Sequence, residues 1–138
     1  DSVVFGDVVV KAIGDRKASI RHFREDAATA DLYKIDTNFV FIGGGSAGAI
    51  MALHVAYLDS TDTIPPHIQM AIDNNGGYEG NTTSNTQYSS EVQAVLNLSG
   101  ALGDASWVDA GDVPVFSVHD DNDDIVDADF EEVDDDKK

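Results

Sequence analysis

Apolar positions recur along this chain in two rhythms, one helical and one strand-like. Between residues 3 and 33, Val9, Ile13, Ile20, Phe23, Ala27 and Ala30 return at spacings near three and four, which predicts one long helix. Arg16 falls in register between Ile13 and Ile20, and Asp15, Lys17, Arg21, Arg24 and Glu25 fall largely on the wet side. A polar connector, Lys34 to Asn38, leads into the run Phe39–Ile42, whose continuous apolar character is that of a parallel-sheet strand buried on both faces. An apolar helix follows from Ser46 to about Leu58. Residues 59–91 are polar and irregular, broken by Pro65-Pro66, with a helical turn at His67–Ile72 and turn chemistry at Asn74-Asn75-Gly76-Gly77. Asn81–Ser90 reads as a surface excursion. Val92–Leu98 is a second strand with a glycine-containing exit, Asp104–Ala110 a short helix carrying Trp107, and Val115–His119 a third strand. Strands alternating with helices predict an α/β fold: a three-layer α/β/α sandwich with a short, mainly parallel sheet of about three strands. Residues 1–130 form one domain, and 131–138 are an acidic tail expected to be disordered.

The densest local signal lies between the first strand and its helix. Gly44-Gly45-Ser46-Ala47-Gly48 is a G-x-S-x-G pattern in strand–turn–helix context, the setting of a nucleophile elbow. A serine on a strained turn needs neighbours without a Cβ, so that the backbone reaches unusual dihedrals and the helix packs close to the strand. A position just before a helix N-terminus also aims backbone N–H groups at an oxyanion formed there. The competing reading is a glycine-rich βα turn that binds phosphate or merely closes tightly. Sites in parallel sheets sit at the carboxyl ends of the strands, and both Ser46 and the acidic loop Asp120–Asp124 follow strand ends.

Charge narrows the partners. Of 138 residues, 26 are acidic and 8 basic, a formal net charge of −18. Residues 1–34 balance six of each sign, whereas Ile35 to Asp136 contain no Lys or Arg against 20 Asp or Glu. Such a surface repels nucleic acid and anionic membranes. It fits a salt-adapted source, divalent-cation binding or an acidic interaction tail, with salt adaptation favoured. No apolar run approaches the roughly 20 residues of a membrane span, no secretion signal is visible, and cysteine is absent, so localisation and redox compartment stay open.

Taken together, these segments resemble an α/β-hydrolase, specifically a bacterial carboxylesterase or lipase of that superfamily. Asp15–Arg24 resembles the helix before the elbow, Phe39–Gly48 the elbow, and Val92–Ala101 the next strand and its exit. Asp112 to Val126 resembles the segment with the triad acid, where the family shows a strand followed by His-Gly-x-x-Asp. The resemblance makes Ser46 the nucleophile, Asp123 the acid that orients a histidine, and His119 the histidine of that motif. It makes Gly44, Gly45, Ala47 and Gly48 the elbow, with the Ala47 N–H an oxyanion donor. It implies a small ester substrate and no cofactor. Asp120 stands where the family has glycine, and Asp127 where it has proline. The family's order is Ser, acid, His, yet no histidine follows Asp123, and the early strands with their oxyanion loop are absent. The expectation is therefore a truncated hydrolase core with weak or incomplete activity.

The other histidines do not obviously replace the missing one. His54 on the helix after the elbow reads as packing, His22 as exposed, and His67 as part of a loop. His119 begins two strand spacings, roughly 10 Å, from Ser46. Without its flanking strands, Phe39–Ile42 becomes an uncharged sheet edge, a template for homo-oligomer pairing. The alternative to an enzyme is thus a catalytically inactive, self-associating acidic domain. Asp120, Asn122 and Asp124 with Glu131 reproduce part of an EF-hand spacing, but Ile125 occupies the glycine position, so they are only weak candidates for Ca²⁺ or Mg²⁺. Asn81-Thr-Thr and Asn97-Leu-Ser match the glycosylation pattern.

Overall fold

The computed structural model describes residues 2–120. Its first element, α1 (Ser2–Ala28), buries a stripe at positions 10, 13, 14, 17, 20 and 21, the i, i+3, i+4, i+7 pattern of one helix face. That stripe contains Lys17 and Arg21, which the sequence had placed in water. Arg21 is 1% exposed. The reason is tertiary. Tyr78–Thr82 packs over this face, and Arg21 Nη1 donates to the Glu79 carboxylate at 2.7 Å while its Nη2 donates to the Thr82 carbonyl at 3.3 Å. Lys17 Nζ reaches the same carboxylate at 3.3 Å. Burial pushes the Glu79 carboxyl up, but Lys17, the Ser90 hydroxyl and Arg21 outweigh it and hold it below the usual carboxylate range. Phe23, assigned to the apolar stripe, is instead exposed and stacks edge-on with Tyr33.

The helix stops at Ala28 rather than at 33. The N–H groups of Thr29 and Asp31 both donate to the Asp26 carbonyl, Asp31 takes φ 49°, and the Asp26 carboxylate accepts the Tyr33 N–H at 3.0 Å. These bonds satisfy the terminal groups and turn the chain outward.

Three strands follow: β1 (Phe41–Gly45), β2 (Ala94–Leu98) and β3 (Val115–Val118), all parallel in the order β1-β2-β3. The parallel α/β core is as the alternation predicts. The boundaries of β1 differ, because pairing with β2 draws Gly43, Gly44 and Gly45 into the ladder. Between β1 and β2 lie α2 (Ala47–Tyr57) and α3 (Pro66–Asn74), with a 3₁₀ turn at Gly77–Glu79. The stretch read as irregular thus holds a real helix, started by Pro66 at a position where its missing N–H costs nothing. The expected short helix near Trp107 is a 3₁₀ turn, Ala105–Trp107.

Packing is one-sided. Ala52, Leu53 and Tyr57 of α2 close on Val95 of β2, while Val10, Ile13 and Ile20 of α1 join Val55, Ile72, Val92 and Trp107 in a second cluster. The opposite sheet face carries Phe41, Leu96, Leu98, Phe116 and Val118 in exposed positions, Phe41 at 64%. Burial of β1 on both faces is therefore not observed: of the two helical layers expected, the described residues supply one. No helix among them is long and apolar enough to cross a membrane.

Candidate active site

Ser46 follows β1 without a break. Its N–H donates to the Leu98 carbonyl at 2.8 Å, continuing the ladder one residue past the Gly45–Leu98 pair. The backbone at Ser46 is held at φ 51°, ψ −122°, outside the usual L-residue regions and costing about 1–3 kcal/mol. Its carbonyl accepts the N–H groups of Ala49 and Ile50 at 2.9 and 3.0 Å, which starts α2. A serine at this position ordinarily turns its hydroxyl onto the first helical amides. Here no side-chain cap bond forms, and Ser46 is exposed. The N–H groups of Ala47 and Gly48 stand in the first turn, where an α-helix offers no acceptor of its own.

The glycines around it have different duties. A Cβ on Gly44 would lie 2.5 Å from the Gly48 carbonyl carbon, so β1 and α2 approach this closely only because Gly44 lacks a side chain, whereas a Cβ on Gly48 would meet only the Arg16 guanidinium at 3.5 Å. A Cβ on Gly45 would meet only the Leu98 carbonyl, at 4.0 Å.

The ends of β1, β2 and β3 place Ser46, Ser99 and His119 along one edge of the sheet. Ser99 repeats the unusual backbone of Ser46, with φ 55°, and its N–H continues the ladder to the Val118 carbonyl at 2.8 Å. Asn97, fully buried on β2, bonds to Gly100, Ser117 and His119. Neither Asn97 nor Ser99 was singled out as a site residue. The available signal was a polar residue interrupting the apolar run Val95-Leu96-Asn97-Leu98. Burial also removes Asn97 as a glycan acceptor, since its amide faces protein on every side.

His54 is closed in the core. Its Nδ1–H donates to the Ile50 carbonyl at 2.7 Å, its Nε2 accepts the Gly103 N–H at 3.2 Å, and the ring meets Trp107 edge-on. Burial pushes the imidazole down, against the opposing pull of the Ile50 carbonyl. His22 and His67 are exposed. Asp123, Asn122 and Asp124 lie outside the described residues, and Asp120 is exposed. Among the described residues no group of three His, Cys, Asp or Glu side chains is placed to hold a metal ion. Two surface hollows of 290 and 330 Å³ are lined by residues other than the elbow, the first by Lys11, Asp15 and Asn75, the second by Arg24, Thr37 and Tyr88.

A strand ending in a strained, exposed serine that opens a helix, beside two further parallel strands, is the geometry of an α/β-hydrolase core. The profile of the BD-FAE family matches residues 7–104. The chain belongs to the BD-FAE family. That family is α/β-hydrolase-like, and the matched stretch runs from α1 through the elbow and β2. The BD-FAE match stops before β3, so His119 and the acidic loop lie beyond it. No curated protein and no solved structure matches the chain.

Two predictions follow from this geometry. Gly44→Ala forces α2 away from β1 and lowers stability in urea by more than about 2 kcal/mol, whereas Gly45→Ala costs less than about 1 kcal/mol. Equal losses would mean that the close approach does not exist in solution. The second concerns pH. Because the folded state depresses the His54 imidazole, the unfolded chain takes up more protons below the ordinary histidine value of about 6.5. Stability from this group is complete above that value and is lost as pH falls through the depressed folded one. Thermal melts between about pH 7.5 and 5.5 should show a larger loss for wild type than for His54→Leu. Parallel losses in the two proteins would assign the effect to other groups.

Proposed function

We propose that this chain is a carboxylesterase-type serine hydrolase acting through Ser46. The observation that carries the reading is the conformation of Ser46: exposed, at φ 51° and ψ −122°, opening α2 with its hydroxyl unused as a cap. In this reaction Oγ attacks the ester carbonyl, and the Ala47 N–H supports the negative charge that develops on oxygen. The ester C–O bond breaks, the alcohol leaves with the serine's proton through a base, and water then releases the acid from the acyl-enzyme. Asp123 is the acid by resemblance. Among the described residues His54 does not supply the base, because it is buried and both its ring nitrogens are engaged, by the Ile50 carbonyl and the Gly103 N–H. Wild type should hydrolyse p-nitrophenyl acetate about 100-fold or more faster than Ser46→Ala, short of the roughly 10⁶-fold drop seen when a complete triad loses its serine. Equal, slow rates in both proteins would rule out turnover at this serine.

A second reading, a self-associating acidic domain, is favoured by the open edge of β1 and the exposed apolar face beside it. The β1 register places Phe41 beside Ala94, and Leu96 beside Phe116, so the apolar side chains form one continuous patch. The fitting occupant is a second copy, because β1 carries no charge and antiparallel pairing of two such edges is self-complementary. The net charge of −18 opposes this contact, so salt should promote it. Light scattering should show dimers growing between about 0.1 M and 1 M salt, as the screening length falls from about 10 Å to about 3 Å, and Phe41→Lys should abolish them. A monomer at every salt and concentration would sink the idea.

A further inference from the structure

Among the described residues Asn97 is the one buried polar side chain of the sheet, and its amide is engaged at the strand ends of the site. Its Oδ1 accepts the Gly100 N–H at 2.8 Å, and its Nδ2 lies 3.0 Å from Ser117 Oγ and 3.0 Å from His119 Nε2. The residue is 0% exposed, so no water shares these bonds.

We propose that Asn97 is the positioning residue of the elbow edge, fixing both the exit loop beside Ser46 and the tautomer of His119, whose neutral ring carries its proton on Nδ1. The direction of the amide follows from chemistry. A backbone N–H can only donate, so the atom facing Gly100 must be the oxygen. The NH₂ group therefore faces Ser117 and His119, with one hydrogen for each. An N–H directed at His119 Nε2 requires that nitrogen to be the unprotonated one, which leaves the proton on Nδ1.

The same amide shapes the elbow. A Cβ on Gly100 would lie 2.4 Å from the Ala49 Cβ and 2.6 Å from Asn97 Oδ1, so the loop after β2 is pressed between Asn97 and the first turn of α2. Holding Gly100 with Asn97 holds the wall against which the helix behind Ser46 rests. His119 is thereby a hydrogen-bond donor through Nδ1 at the strand-end edge. Its Nε2, engaged by Asn97, is closed to the serine's proton. A base for Ser46 must then come from another group.

The tautomer is measurable whether or not the chain hydrolyses esters, so failure of this inference and failure of the esterase reading are separate results. Long-range ¹H–¹⁵N correlation spectra of the four histidine rings, recorded at alkaline pH on the full chain, report which nitrogen is protonated. His54 is an internal standard, because its Nδ1 faces a carbonyl and must donate. His119, assigned with His119→Asn, should share the His54 pattern, while exposed His22 and His67 show the Nε2–H pattern of free imidazole. Asn97→Asp replaces the donor by an acceptor and should move the His119 proton to Nε2, leaving His54 unchanged. A wild-type His119 in the Nε2–H form overturns the proposal, as does an unchanged His119 pattern in Asn97→Asp. If that variant fails to fold, the wild-type spectrum alone still decides.

Discussion

The backbone ladder that runs one residue past the ends of β1 and β2 is the constraint on which the site depends. Ser46 and Ser99 both adopt positive φ, a cost of about 1–3 kcal/mol each. Neither could hold that shape as a free loop. Each is fixed because its N–H is still bonded to the neighbouring strand, Ser46 to Leu98 and Ser99 to Val118, and at Ser46 the following residues already belong to α2. The sheet thus imposes the strain, and the close Gly44–Gly48 contact leaves the helix no room to relax it.

A second constraint is the supply of positive charge. From Ile35 to Asp136 the chain has no cation, so the polar half must draw its counter-charges from α1. It does so through Lys17 and Arg21 on Glu79, and through Arg24, which donates to the carbonyls of Thr37 and Glu91 at 2.9 and 2.7 Å. One helix therefore ties down the connector before β1, the turn after α3 and the entry to β2. This explains why two cations lie buried on its inner face. With a net charge of −18 the surface stays strongly acidic, and its self-repulsion is what salt would relieve.

The polar interior at Asn97 is of a different kind from these ion pairs. Its bonds are neutral and directional, and each has a single acceptable donor or acceptor assignment. That selectivity makes it a device for setting geometry more than for adding stability.

The sequence by itself determined the three strands, the helices before and after the elbow, the parallel sheet and the position of Ser46, because periodicity and glycine spacing are local properties of the backbone. It also placed His54 correctly in the packing, since an apolar helix leaves a lone histidine little else to do. What only tertiary structure decided were the matters of partnership. Lys17 and Arg21 look solvent-facing until Glu79 arrives from 58 or more residues away to accept them. Gly43–Gly45 look like a turn until β2 pairs with them, and Phe41 looks buried until the sheet is found covered on one side. Asn97 looks like an interruption until three strand-end groups converge on it. In each case the outcome rests on a contact between distant segments, and no pattern within one segment carries that information.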